Sequence, residues 1–125
     1  MTIRRLAPAR GLTSARITRA VLVTLGDRPL DALSIAIVDD TRIAELHLEY
    51  MGDDRPTDVL TFDLRDDLDA PAIEGEIVVS ADTAVREALR RGLEPKEELT
   101  RYIIHGVLHL LGMEDRNPSD RRRMR

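Results

Sequence analysis

Apolar residues recur along the chain at two periods, and the switches between them mark out eight elements. Residues 2–6 read as a short edge strand that Pro8 and Gly11 break. Thr13 or Ser14 then caps a helix with Ile17, Ala20, Val21 and Leu25 on one face and Gly26 as its stop. A strand over 33–38 runs into Asp39-Asp40, and Asp40 or Thr41 caps a second helix carrying Ile43, Leu46 and Tyr50. Gly52-Asp-Asp-Arg-Pro56 has turn chemistry, 59–64 reads as a strand, and the acidic, Pro71-containing stretch 65–74 reads as a loop. Residues 75–80, with Ile77-Val78-Val79, have the continuous apolar character of a buried strand. Ser80 or Asp82 caps a third helix that Gly92 ends near Arg91, and Pro95 opens a last helix running to about Leu111. The order β-α-β-α-β-β-α-α predicts one α+β domain over residues 1–125, built on a mixed four-stranded sheet.

Composition sharpens this in three ways. Aromatics are 2% of 125 residues, so Leu, Ile, Val and Ala must fill the core. No apolar run approaches the roughly 18 residues of a membrane span, and the first ten residues hold no secretory-type apolar segment, so neither a membrane partner nor a signal peptide is expected. With no cysteine, any metal must be held by nitrogen and oxygen. Net charge is −4, but residues 1–28 carry +5 and 116–125 carry +4, which leaves −13 for 29–115. Basic ends around an acidic middle either solvate the surface or set a positive patch beside a cleft.

The chemistry concentrates in the last helix. Leu99, Tyr102, Ile103, Ile104, Val107, Leu108, Leu110 and Leu111 make it apolar almost all round, so it should be buried. His105 and His109 stand four apart on one face of it, with Cβ atoms about 6 Å apart. Such a pair can reach one ion at about 2.0–2.1 Å, or it can be two hydrogen-bonded core histidines. Gly112 can turn the chain back in the left-handed conformation and let Asp115 offer a third ligand; otherwise Asp115 is a solvated or capping acid. Three ligands with an open position are the layout of a catalytic metal site. Gly106 stands where a zinc peptidase of the H-E-x-x-H type carries its base, so peptidase chemistry of that kind is disfavoured. A glycine inside a helix also implies something bulky against the backbone there, either substrate or another chain segment.

The stretch His105-Gly-Val-Leu-His109-Leu-Leu-Gly112 resembles the signature of the YbeY family, bacterial metal-dependent endoribonucleases implicated in rRNA maturation. The family pattern is roughly H-G-x-L-H-L-x-G-[YF]-D-H with a Met nine residues after the last His, and Met124 stands nine after Asp115. Pro56-Thr57-Asp58-Val59-Leu60-Thr61-Phe62 resembles its P-T-D-V-L-S-F segment, and Gly75-Glu76-Ile77-Val78-Val79-Ser80 its G-D-I-x-I strand. The likeness covers roughly residues 30–124. It implies a metzincin-like metal helix, one Zn²⁺ per chain held by His105, His109 and Asp115, and hydrolysis of single-stranded RNA or rRNA in rRNA maturation and ribosome quality control. A cytoplasmic location and association with the small ribosomal subunit follow in the same way.

Three departures from the pattern bear on mechanism. Asp115 replaces the third histidine, and an anionic ligand leaves the ion less electropositive. His47 and Met51 replace an Asn and an Arg of the segment before the loop, so a cation that would stabilise phosphate charge is missing, and Arg55 is the candidate substitute. Met113 and Glu114 replace an aromatic residue and an Asp, which makes Glu114 a candidate base. His47 reads as a structural or exposed residue sooner than a metal ligand, and Thr57 and Asp58 as ordering the turn into the next strand sooner than touching substrate. The alternative function is a zinc-stabilised, ribosome-associated binding factor with little or no turnover.

Overall fold

The computed structural model describes residues 1–67 and 69–112. Its elements are β1 (Thr2–Arg5), α1 (Ser14–Leu25), β2 (Leu30–Val38), α2 (Asp40–Met51), β3 (Val59–Asp63), β4 (Ile73–Ser80), α3 (Ala81–Arg91) and α4 (Pro95–Leu110). Four helices and a four-stranded mixed sheet are therefore present, in the expected order. The strands lie in the order β1-β2-β4-β3. β1 is parallel to β2 and β2 to β4, while β3 runs antiparallel to β4 with Thr61 opposite Ile77.

The alternation of the central strands divides their side chains between two cores. Leu33, Ile35 and Ile37 of β2 and Ile77 and Val79 of β4 meet Ile17, Val21 and Leu25 of α1 and Leu99, Ile103, Val107 and Leu110 of α4. Ala36, Val38 and Val78 point the other way, against Ile43 and Leu46 of α2. Thus α1 and α4 cover one face and α2 the other. The last helix is not buried all round as its composition suggests: Ile104, Leu108 and Leu111 are only half-buried. One flank of α4 is left at the surface.

Two boundaries differ from the sequence expectation. The cap of α2 is Asp39, whose carboxylate accepts from Arg42 N at 2.8 Å, rather than Asp40 or Thr41. Asp40 is drawn away by α3: its Oδ1 accepts from Ser80 Oγ at 2.7 Å and Thr83 Oγ1 at 2.8 Å, and its Oδ2 from Arg86 at 2.5 Å. Ser80 is at once the last residue of β4, the cap of α3 and a donor to α2. The second difference is length. β2 starts at Leu30 and β4 at Ile73, because residues 30–33 and 73–75 pair with each other across a small irregularity. That pairing shortens the acidic loop.

Candidate metal centre

The seating of α4 on the sheet fixes the site. A Cβ at Gly106 would lie 2.8 Å from Ile77 Cγ2 and 3.0 Å from its Cδ1. The bulky neighbour of this helical glycine is therefore another segment, β4. At Gly75, on the same strand, a Cβ would lie 2.8 Å from the Phe62 carbonyl oxygen and 2.9 Å from both Leu110 methyls. Helix and strand thus approach closely at both positions, so that an added Cβ would have to push the C-terminal half of α4 or its neighbours aside.

His105 and His109 emerge on one flank of this helix, both half-buried. Their Nε2 atoms face each other at 2.7 Å, with ring centroids 4.4 Å apart and planes at 59°. At that distance one nitrogen donates a hydrogen and the other accepts it. Two nitrogens ligating one tetrahedral ion at about 2.0–2.1 Å stand about 3.3 Å apart. The pair is thus within about 0.6 Å of a ligating separation, with the right atoms turned toward one another, and it fits a metal. Among the described residues no third His, Asp or Glu completes a group of three. Gly112 does turn left-handed, with φ of 74°, and directs the chain out of the helix as its type suggests. Asp115, Glu114, Met113 and Met124 lie outside the described residues.

The loop residues divide. His47 Nδ1 is 2.7 Å from the Arg55 carbonyl oxygen, a bond that ties α2 to the loop. The Arg55 guanidinium forks onto Asp53, at 3.0 Å to Oδ1 and 2.6 Å to Oδ2, and its side chain is 80% exposed. This arginine holds the Asp53 carboxyl well below the usual carboxylate range. Met51 packs against the α2 side of the core beside Ile43 and Leu60. Asp58 accepts from its neighbour Val59 N at 2.8 Å, and its carbonyl takes Ser80 N at 3.0 Å, so it orders the turn into β3.

A second polar feature was not anticipated. Glu98 in the first turn of α4 is fully buried. Its Oε2 accepts from Arg101 Nη2 at 2.9 Å, and Arg101 holds its carboxyl below the usual range against the opposing pull of burial. The dipole of the helix N-terminus favours a carboxylate there as well. Tyr102 is buried beside it, and burial, reinforced by the Glu98 charge, pushes its hydroxyl pKa far up. The Tyr102 hydroxyl also acts on the Glu98 carboxylate as a donor, while Thr61 Oγ1 is buried with no hydrogen-bond partner among the described residues. At 100° per residue, positions 98, 101, 102, 105 and 109 share a flank of the helix, so this cluster continues the histidine stripe toward the N-terminus. The signal was an acid inside an otherwise apolar helical stripe, four residues before Tyr102.

Comparison with known proteins places the chain. Residues 13–125 match the family model described as Endoribonuclease YbeY. A protein named Endoribonuclease YbeY from Protochlamydia amoebophila is 44% identical over 91 residues, covering 72% of this chain and 61% of that one. One from an Anaeromyxobacter species is 41% identical over 119 residues, covering 92% of this chain and 62% of that one. The Thermobifida fusca protein of the same name is 36% identical over 125 residues, covering 94% and 80%. The chain thus spans about three fifths of the length of the first two relatives. A solution structure of TM1509 from Thermotoga maritima aligns with a TM-score of 0.57 at 32% identity, covering 87% of this chain and 71% of that one. The chain belongs to the YbeY family.

Proposed function

We propose that this chain is a metal-dependent endoribonuclease acting on single-stranded RNA. The observation that carries the reading is the pair of imidazole nitrogens turned toward each other at 2.7 Å on a helix clamped to the sheet. His105, His109 and Asp115 would hold one Zn²⁺, with Asp115 assigned by sequence register alone. A bound ion would supply Lewis acidity, polarising a phosphoryl oxygen and lowering the pKa of water. The protein's own part is positioning: the close approaches at Gly106 and Gly75 fix the height of α4 above β4, and the half-buried flank gives the histidines access to substrate. Glu114 is the candidate base. Arg55 is the candidate loop cation; Asp53 takes its Nε and one Nη2 donor, partly offsets its charge, and leaves its remaining N–H groups open to a phosphate. A role in rRNA maturation in the cytoplasm, on the small ribosomal subunit, is proposed with it, and no helix among the described residues is long and apolar enough to cross a membrane.

The test is elemental analysis of purified protein together with cleavage of single-stranded RNA, wild type against His109→Ala. One equivalent of zinc and metal-dependent cleavage, both lost in the variant, are expected; equal cleavage by the two proteins would refute the assignment. The apolar packing of Met51 at the position of the missing cation favours the second reading, a zinc-stabilised binding factor with little turnover. Binding to small-subunit particles without cleavage would establish that reading instead.

A further inference from the structure

The turn at 56–58, α3 and the first half of α4 enclose an open cleft of about 460 Å³. Its walls carry four guanidinium groups, Arg86, Arg90 and Arg91 from α3 and Arg101 from α4, with the hydroxyl-bearing Thr57 and Thr83 between them. Apart from Pro56 and the Tyr102 ring the lining is polar, which is no setting for an apolar ligand. Two acids also line it, Asp58 and Glu87. Asp58 spends an oxygen on its own neighbour Val59 N, and Glu87 is shared between Arg90 and Arg91. Cations therefore exceed acids on the walls by two.

Each of these arginines is already paired, but none is used up. Arg86 is held by Asp40, Arg90 and Arg91 by Glu87, and Arg101 by Glu98, with the arginine side chains 43–67% exposed. The pairs of Arg86, Arg90 and Arg91, open to water on both partners, are weak. A guanidinium has five N–H donors in a planar fork, so one carboxylate does not saturate it. Arg101 is set most firmly, because its carboxylate partner is fully buried and its guanidinium lies 5.6 Å from the Tyr102 ring centroid. It also stands one turn before His105 on the histidine flank, about 6 Å along the axis.

We infer that this cleft is a phosphate-binding subsite for the backbone of single-stranded RNA, with Arg101 the positioning residue nearest the histidine pair and Arg90 and Arg91 the outer contacts. The inference rests on the RNA reading above and extends it to the stretch of strand flanking the cleavage position. Cations and hydroxyls on a wall, without an aromatic platform beyond Tyr102, recognise the backbone and not the bases. The subsite therefore supplies affinity and register, and the sequence read at the cleavage point is set elsewhere.

The experiment is fluorescence anisotropy with labelled single-stranded RNA in EDTA, so that neither metal nor cleavage enters, measured across a range of salt. Arg101→Gln and the double variant Arg90→Gln/Arg91→Gln are compared with Arg42→Gln, an arginine of α2 paired with Glu45 away from the cleft. Each cleft variant is expected to bind about tenfold more weakly. Its slope of log K against log salt should fall by about 0.7 for each phosphate that the variant no longer neutralises. Arg42→Gln should match wild type. Because Arg101 partners a buried carboxylate, the double variant on α3 keeps the test open if Arg101→Gln fails to fold. Unchanged binding by the double variant, or equal weakening by Arg42→Gln, overturns the subsite while the RNA reading stands. Failure of the wild type both to bind and to cleave RNA overturns both.

Discussion

Asp40 and Glu98 are both carboxylates held by an arginine near the start of a helix, yet their surroundings differ. Asp40 keeps 23% of its side chain exposed and receives three donors, from Ser80, Thr83 and Arg86. Burial pulls its pKa up, but those hydrogen bonds outweigh burial and the result is a lowered value. Glu98 is fully buried and has one cationic partner, Arg101, with the Tyr102 hydroxyl beside it as a second, neutral donor. A saturated network of the first kind fixes how two helices start side by side. A buried carboxylate whose charge is balanced by a single arginine is costly if that arginine is lost, and this one lies along the flank where the histidines emerge. The contrast separates a partly exposed cluster spread over three donors from a buried one whose charge hangs on one cation.

The sharpest way to break this contrast is Arg101→Met. It strands an ionised carboxylate in a buried position, and breaking a buried pair costs about 3 kcal/mol at the low end of its range, a fitting value because Arg101 is half exposed. Urea denaturation at pH 7 should read that loss. The sign on pH follows from Glu98. Its folded pKa is lowered from 4.5, so its contribution is present above 4.5 and lost as pH falls through the folded value. The gap between variant and wild type should therefore narrow on acidification.

Gly106→Ala should come next. It drives a methyl into Ile77 and lifts α4, at a cost of about 2 kcal/mol from overpacking, and it should disturb the Glu98 side while leaving the Asp40 network intact. Amide chemical shifts of Ser80 and Thr83 that move as much as those of Tyr102 would show that the two clusters are coupled.

Asp40→Asn retains an acceptor for the hydroxyls but loses charge, and should cost about 1 kcal/mol. The wild-type contribution is present above 3.8 and lost as pH falls through the lowered folded value, so the variant should show a flatter acid limb in stability against pH. The smallest effect is expected from Thr61→Val, which replaces a buried, unpartnered hydroxyl by a methyl of similar shape. A change within about 0.5 kcal/mol in either direction is expected. A loss above that in thermal melts would mean the hydroxyl has a partner.

Most elements were legible because local signals agreed. In α1, Thr13 caps, Ile17, Val21 and Leu25 are buried at helical spacing, and Gly26 stops the helix. The positions that were misread are those that distant residues decide. Asp39-Asp40-Thr41 offers three capping residue types in a row, and only Ser80, Thr83 and Arg86, some 40 residues away, settle which carboxylate turns outward. The early starts of β2 and β4 depend on each other, and neither shows as alternation in its own segment. The histidine pair was visible because four residues on a helix is a local spacing. The arginine cleft was not, because its walls come from three separated segments, and on α3 alone Arg86 and Arg90 look like a solvated face.

Ser80 carries one further implication. Its hydroxyl accepts from Thr83 N and donates to Asp40, while Asp82 in turn accepts the Asp40 amide at 2.9 Å. Neither helix can fray at its start without releasing the other, so the opening turns of α2 and α3 form one cooperative unit. Hydrogen exchange at Arg42 and Thr83 should then proceed with matched protection, and a loosened second helix would be felt at once along the wall of the arginine cleft.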